Sequence, residues 1–494
     1  MKAIITAAQT RDTDRHTIEQ TPIASLDLME NASTAFVTAF MQLYPNKHTR
    51  ILVCCGTGNN GGDGLAIARL LQARSYDTIA VWIARFAEQE SDDFTANLAR
   101  LHHTPIPVTE FFPGDEFANI QQHVIIDALL GSGLNKPLEG DWLRLAQHLN
   151  DANCRTVAVD IPSGLRADGV IPENEYAVHA DDVITFHRPK LSFFFPESAR
   201  TMACFHVVDI GLDDGFIEHL SCNYRLVETA DIQRIYRRRK PFSHKGTYGR
   251  ALIIAGTIDT MGAALLASGA SVYAGAGLTS ASIPAEGLTA LNARYPEAMY
   301  YARRELFDIG EKFDAIAIGP GLGIGYFDRH GMMANMRKPI VIDADALSFL
   351  GKNPELLHEL PKQSILTPHM KEFDRLFGPH SNWWDRVQTA REQATTLELV
   401  IILKNRYTFI ALPNGHVAIN PTGNPAMASG GMGDVLAGIL VSFLAQGYAP
   451  DEAALLGCYL HGLAGDRLHA DGMAVVPATQ VIEELPYAIA SLRD

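Results

Sequence analysis

Cysteine is scarce in this chain and never paired in a metal-binding pattern. Six residues, at 54, 55, 154, 204, 222 and 458, are spread over 494 positions with no Cys-x-x-Cys among them. That spacing supports neither a zinc framework nor a disulfide scaffold, and a reducing compartment is the simplest reading. Long apolar runs are also missing: DVLAGILVSFLAQGYA, near the end, is broken by glycine and too short for a bilayer. The start, MKAIITAAQTRDTDRHTIEQ, meets charge before any extended apolar core, so no secretory signal is expected. Positive charge is in deficit: 41 lysines and arginines face 56 acidic residues, a formal net charge of −15. A large duplex nucleic-acid partner is therefore disfavoured, whereas a small anion held by local loops is not. The one dense basic run, Arg237-Arg238-Arg239-Lys240, reads as a solvated interdomain segment. No glycine loop continues into Gly-Lys-Ser/Thr, which excludes a simple P-loop. No repeat of solenoid length is visible. The expectation is a cytoplasmic protein with no membrane and no nucleic-acid partner.

What is present is 47% hydrophobic residues over a length that suits two domains. Residues 9–44 read as helix with a break at Pro22. Strand–turn–helix units follow: ILVCCG, then a helix from about Leu65 to Ala73; DTIAVWIA; HVIIDALLGSGL; a helix at about 140–150; and RTVAVDIPSGL. DDVITFH and HVVDIG read as the last strands of this series. A second series starts at GRALIIAGT and runs through FDAIAIGPGLG, PIVIDADAL, SILTPHMKEF, LVIILKN and YTFIALPNG, the last two suggesting a hairpin. Strands alternating with helices predict an α/β fold with parallel sheets, and sites beyond the carboxyl ends of the strands. The domain expectation is residues 1–220, a connection at 221–240, and residues 241–494.

The segment Cys55–Leu65, CGTGNNGGDGL, formally matches a dinucleotide fingerprint, Gly56-x-Gly58-x-x-Gly61. The match is weak. Asn59-Asn60 precede a second glycine pair, and Asp63 stands at the expected helix entrance, where a carboxylate caps a helix but repels a bare phosphate. Asn60, Asp127 and Ser163 fall on neighbouring strand-end loops and offer oxygens. They read either as a hard-cation site or as a hydrogen-bonded network. Near the other end, GNPAMASGGMGDVLAGIL places Gly430, Gly431 and Gly433 at a helix start with Asp434. Such a turn can hold an anion while the carboxylate deprotonates a hydroxyl; the plain alternative is an N-cap. Asp343 and Asp345 of IDADAL either end a strand and cap a helix or meet a polar ligand. Cys458, in CYLHGLAG, reads as core.

NNGGDG, DALLGSGL and VAVDIPSGL, in that order after an initial helix, resemble the N-terminal domain of bifunctional NAD(P)H-hydrate repair enzymes. HKGTYG, GPGLG, DADAL, LTPHMKEF, ILK and GGMGD resemble the ribokinase-like, ADP-dependent dehydratase half of that family, over roughly residues 230–490. The resemblance implies a Rossmann-like three-layer epimerase domain followed by a ribokinase-like α/β/α dehydratase domain. In the first, it implies that Asn59, Asn60, Gly61, Gly62, Asp63, Gly131, Ser132, Gly133, Leu134, Asn135, Lys136, Pro137 and Asp160 meet the substrate. It also implies K+ on Asn60, Asp127 and Ser163. Asp160 is the acid–base candidate, because a strand-end carboxylate is rigidly placed. In the second, it implies that Ala263, Gly323, His369 and Asp434 contact the hydrate, and that Lys404, Asn405, Arg406, Tyr407 and Thr408 lie against ADP. Asn424, Gly430, Gly431 and Gly433 would border the phosphates, with Mg2+ bridging them, Glu372 arranging metal or phosphate, and Asp434 as base. One departure is Lys404-Asn405, where relatives often carry Lys-Gly. The implied substrates are the NADHX and NADPHX hydrates, and a homo-oligomer is expected. Two rivals remain open: a ribokinase-like small-molecule kinase with an N-terminal ligand domain, and a nucleotide sensor without turnover.

Overall fold

The computed structural model describes residues 1–21, 23–309, 312–329 and 337–493. Pro22, where a helix break was expected, lies outside them. The chain divides into two compact units. One comprises Ala3–Cys222 with Asn382–Trp384, and the other Met1–Lys2, Asn223–Ser381 and Asp385–Asp494.

A short strand, β1 (Lys2–Ile4), precedes helices Ala7–Gln20 and Ser25–Leu43, which belong to the first unit. Its main sheet is built from β2 (Ile51–Cys55), β3 (Ile79–Ala84), β4 (Val108–Phe111), β5 (Val124–Ala128), β6 (Arg155–Val159), β7 (Ala180–Phe186) and β8 (Met202–Val208). The order is β4-β3-β2-β5-β6-β7-β8, with every pairing parallel. Strands buried on both faces need continuous apolar sequence, and ILVCC and VIIDA are buried throughout. One face packs Val53, Ile126 and Val157 against Phe36, Phe40, Leu65 and Phe94 of the covering helices. The other packs Leu52, Cys54 and Ile125 against Leu145 and Leu149 of the helix Gly140–Asp151. The result is three layers. Strand order reverses between β2 and β5, which opens a crevice beyond their carboxyl ends.

The second unit repeats the logic with β9 (Tyr224–Leu226), β10 (Arg250–Ile254), β11 (Leu278–Ser282), β12 (Met299–Tyr300), β13 (Ala315–Ile318), β14 (Ile340–Ile342), β15 (Ile365–Leu366), β16 (Val400–Leu403), β17 (Thr408–Ala411) and β18 (Val417–Asn420). They run in the order β9-β18-β17-β16-β15-β14-β13-β10-β11-β12. The β16–β17 and β17–β18 pairs are antiparallel. Ile253, Val341 and Ile402 pack on helices Met261–Tyr273, Met432–Ala445 and Pro450–Ala470, while Ile254, Ile316 and Ile342 pack on Leu347, Leu350 and Leu376. The crevice here falls between β10 and β13. Residues 221–240, read from sequence as a connection, contribute β9, parallel to β18, and the helix Thr229–Ile235, whose Ile232 is fully buried.

Two candidate sites at the strand ends

The NNGGDG segment is not an open loop. The helix begins at Asn59, six residues earlier than its pattern suggests, with Gly58 as an uncapped N-cap. Asp63 therefore lies inside the helix rather than capping it. The glycines are there for close approach: a Cβ on Gly61 would sit 1.8 Å from the Gly56 carbonyl oxygen. The helix can start this tightly against the β2 end only because that Cβ is missing.

Above it lies a cavity of about 480 Å³ lined by Asn59, Asn60, Asp63, Gly131, Ser132, Gly133, Leu134 and Asp160. Gly61 and Gly62 face packing instead, and Asn135, Lys136 and Pro137 are not among the lining residues. Asp160 follows β6 with φ +64°, an uncommon conformation for a residue with a Cβ. Its Oδ1 accepts from Lys190 Nζ at 2.6 Å, Phe186 N at 3.0 Å and Thr185 Oγ1 at 3.1 Å. Lys190 is buried, as is Asp160. Asp14, from the first helix, also lines the cavity, and burial together with the Asp160 charge pushes its carboxyl up to about 6. Burial and the charges of Asp160, Asp14 and Asp93 push Asp63 well above the carboxylate range. Neither Lys190 nor Asp14 belongs to a recognisable motif. Lys190 could have been suspected as a lone lysine in a strand-end loop, but nothing flags Asp14 before the helix folds over the sheet.

Asp127 and Ser163 meet beneath this cavity. Asp127 is fully buried and accepts from Ser163 Oγ at 2.7 Å, Ser163 N at 2.8 Å and Leu129 N at 3.2 Å. Burial still lifts it to about 6. Asn60 is buried, and its side-chain nitrogen has no hydrogen-bond partner.

In the second unit the glycine turn at 430–433 ends with Gly431 at φ +91°, capping the helix Met432–Ala445. A side chain there would be strained, and its Cβ would come within 2.5 Å of Leu266. Asp434 is the third residue of that helix. Burial, then Asp343, pushes its carboxyl up to about 7, with Lys404 pulling the other way and Asp345 adding to the rise. Lys404 Nζ pairs with Asp343 Oδ1 at 3.0 Å. Burial opposes its charge, but Asp343 and Glu372 more than offset that and raise its pKa. Between Asp343 and Asp345, Ala344 adopts φ +51° and ψ −116°. This strained residue turns one aspartate to Lys404 and lets the other accept from Gly323 N at 2.8 Å. Gly321 lies against Ala263, which joins the Gly323 loop to the helix Met261–Tyr273.

His369 and Glu372 form a capping box: His369 Nδ1 accepts from Lys371 N and Glu372 N, and Glu372 accepts from His369 N at 2.9 Å. The outer edge of the imidazole remains half exposed. Asn405 is not among the residues with positive φ, so the departure from Lys-Gly imposes no left-handed turn.

A cavity of about 400 Å³ adjoins this constellation, lined by Lys404, Asn405, Arg406, Thr408, Asn424, Met427, Leu436 and Cys458. Tyr407 is not among its walls; it carries the Arg406 guanidinium over its ring. Cys458 is buried, as its helix pattern suggested, but it also forms part of this wall. His461, in the same wall, is held by burial down at about 4 and hence neutral. Asn424 is oriented by Asp466, whose carboxylate accepts from Asn424 Nδ2 at 2.8 Å and Gly423 N at 2.9 Å. His461 and Asp466 were not singled out from the sequence, since both sit in a helix that reads as core.

A family model described as NAD(P)H-hydrate dehydratase matches residues 251–487, and one described as YjeF-related protein N-terminus matches residues 25–192. A bifunctional NAD(P)H-hydrate repair enzyme from Moorella thermoacetica is 34% identical, covering 99% of this chain and 97% of its own. One from Escherichia coli is 33% identical over 90% of this chain and 85% of its own. A solved ribokinase-like superfamily protein from Enterococcus faecalis is 30% identical, covers 55% of this chain and 96% of its own, and superposes with a TM-score of 0.50.

Proposed function

Because the chain belongs to the family of bifunctional NAD(P)H-hydrate repair enzymes, we propose that its two strand-end sites divide the repair of hydrated NADH and NADPH between them. The chain epimerises the R and S hydrates and dehydrates the S hydrate at the expense of ADP. The observation that carries the second half is Asp434, a carboxyl lifted to about 7 at a helix start behind a glycine turn, beside Lys404 and Asp343.

The hydroxyl of the hydrate is a poor leaving group. Ionised Asp434 takes its proton, and the oxygen attacks the terminal phosphoryl of ADP, breaking the bond to AMP. Phosphate then departs with the former hydroxyl oxygen and the ring double bond returns, so NAD(P)H, AMP and phosphate are the products. The N–H groups of the glycine turn face the charge on the moving group. Lys404, Asn405, Arg406, Thr408 and Asn424 hold the nucleotide. Asp343 and Glu372 are hard oxygen donors with more negative charge than Lys404 balances, a set that fits Mg2+; when bound it would neutralise phosphate charge.

In the first unit, Asp160 is the group that moves the proton of the epimerising carbon's hydroxyl, and Lys190 holds it in place. The donor set beneath it fits K+. Asp127, Ser163 and the Leu130 carbonyl gather oxygens, and the Asn60 amide, whose nitrogen has no partner, would present its oxygen there if turned over. The unpaired cysteines agree with a cytoplasmic location.

The test is recovery of dihydronicotinamide absorbance from mixed R and S hydrate with ADP and Mg2+, against ATP and no-nucleotide arms. Recovery beyond the S fraction, faster than spontaneous epimerisation and dependent on K+ over Li+, is expected. Recovery of the S fraction alone removes the epimerase reading, and a stable phosphorylated product with no NADH restores the kinase reading.

A further inference from the structure

Away from both cavities, three side chains of different ligand chemistry converge on one face of the first unit's sheet. Cys204 and His206 lie two apart on β8, and therefore on the same face. Asp182 of the neighbouring β7 pairs in register with Cys204, which puts its side chain on that face too. Asp182 Oδ1 lies 2.9 Å from His206 Nε2 and 3.1 Å from Cys204 Sγ, and the latter two are 3.7 Å apart. The Tyr44 hydroxyl donates to the other carboxylate oxygen, Oδ2, at 3.1 Å, which fixes the carboxylate and leaves Oδ1 facing the pair. The adjacent carboxylate is engaged elsewhere: Asp181 binds Arg155 and the Thr156 amide. The thiol and the imidazole both hydrogen-bond to Oδ1, and among the described residues no other group of three His, Cys, Asp or Glu side chains brings its ligand atoms this close together.

We propose that Asp182, Cys204 and His206 form a binding site for a borderline divalent cation of the Zn2+ class. Sulfur, nitrogen and oxygen ligands are the mixture such an ion takes, at about 2.0–2.3 Å, and three protein ligands leave a fourth position to water. Separations near 3–4 Å between ligand atoms are about those of a tetrahedron of that size. Tyr44 supplies the outer hydrogen bond that such sites use to orient a ligand. Binding displaces the thiol proton, so the site loads more tightly as pH rises.

The purified full-length chain, freed of metal, is titrated with Co2+ and then with Zn2+. One equivalent of Co2+ should raise a thiolate-to-metal absorption band that Zn2+ displaces. Cys204→Ser should abolish the band, and His206→Ala or Asp182→Asn should weaken Zn2+ binding by about tenfold or more. Cys204 is the most exposed of the cysteines, the others being buried or, at Cys154, partly so. In the unsubstituted chain its alkylation, read on the tryptic peptide, should slow about tenfold or more with one equivalent of Zn2+. No thiolate band, or alkylation unchanged by Zn2+, overturns the site.

Discussion

At Asp434 the carboxyl is pushed up to about 7 by burial and the neighbouring Asp343, against the pull of Lys404. The base works only when ionised, so dehydration should rise with pH through about 7, and a rate profile on saturating ADP measures it. The same shift has a cost for folding. A carboxyl whose folded value lies above its ordinary 3.8 contributes stability that is full below that value and lost as pH rises towards 7. Asp434→Asn should therefore abolish dehydration, by at least about a hundredfold. It should leave epimerisation intact and raise the second unit's melting temperature by about 2–4 °C at neutral pH. Loss of both activities would contradict separate sites. Ala344 tests the local strain: Ala344→Gly should add about 1 kcal/mol of stability and lower dehydration if rigidity aims Asp343 and Asp345. Urea denaturation and the rate assay separate the two effects.

The helices that open these sites owe their starting points to packing rather than to propensity. Asn59–Ala73 begins with two glycines in its first turn, a poor helix sequence by composition. It forms because the turn lies directly against Gly56, where any side chain at Gly61 would collide. Gly61→Ala should cost about 1–3 kcal/mol and remove epimerase activity while dehydratase activity survives. Parallel assays of one preparation check this, and equal loss of both would argue that the two units unfold together. The periodicity of LAIARLLQA locates the body of the helix correctly, but its first turn is invisible to a pattern of apolar residues because that turn has none. The same blindness applies to Asp14, which lines its cavity only once the polar helix Ala7–Gln20 is in place.

At the scale of the molecule, two chemistries share one chain, and each has its own crevice at a strand-order reversal. Asp160→Asn should leave S hydrate repair and remove acceleration of R hydrate conversion, the mirror of Asp434→Asn. An equimolar mixture of the two variants should restore recovery of the full R and S pool, since the epimerised hydrate passes through solution. Failure of the mixture, with each variant's remaining activity intact, would mean that substrate passes between sites of one chain.

The sequence alone carries the alternation of strands and helices, sites beyond the strands' carboxyl ends and the glycine turns, because these follow from apolar periodicity and from backbone that only glycine permits, whereas the crevices follow from strand order. NNGGDG, DIPSG and GGMGD are local, and local geometry is written locally. Pairings across long separations are not. Lys190 meets Asp160, Lys404 meets Asp343, Asp466 orients Asn424, and Cys204 and His206 meet Asp182 only when parallel strands come into register and loops from distant segments share one sheet end. Burial and neighbouring charge then shift the proton affinities of Lys404 and Asp434, and burial is a property of the folded chain.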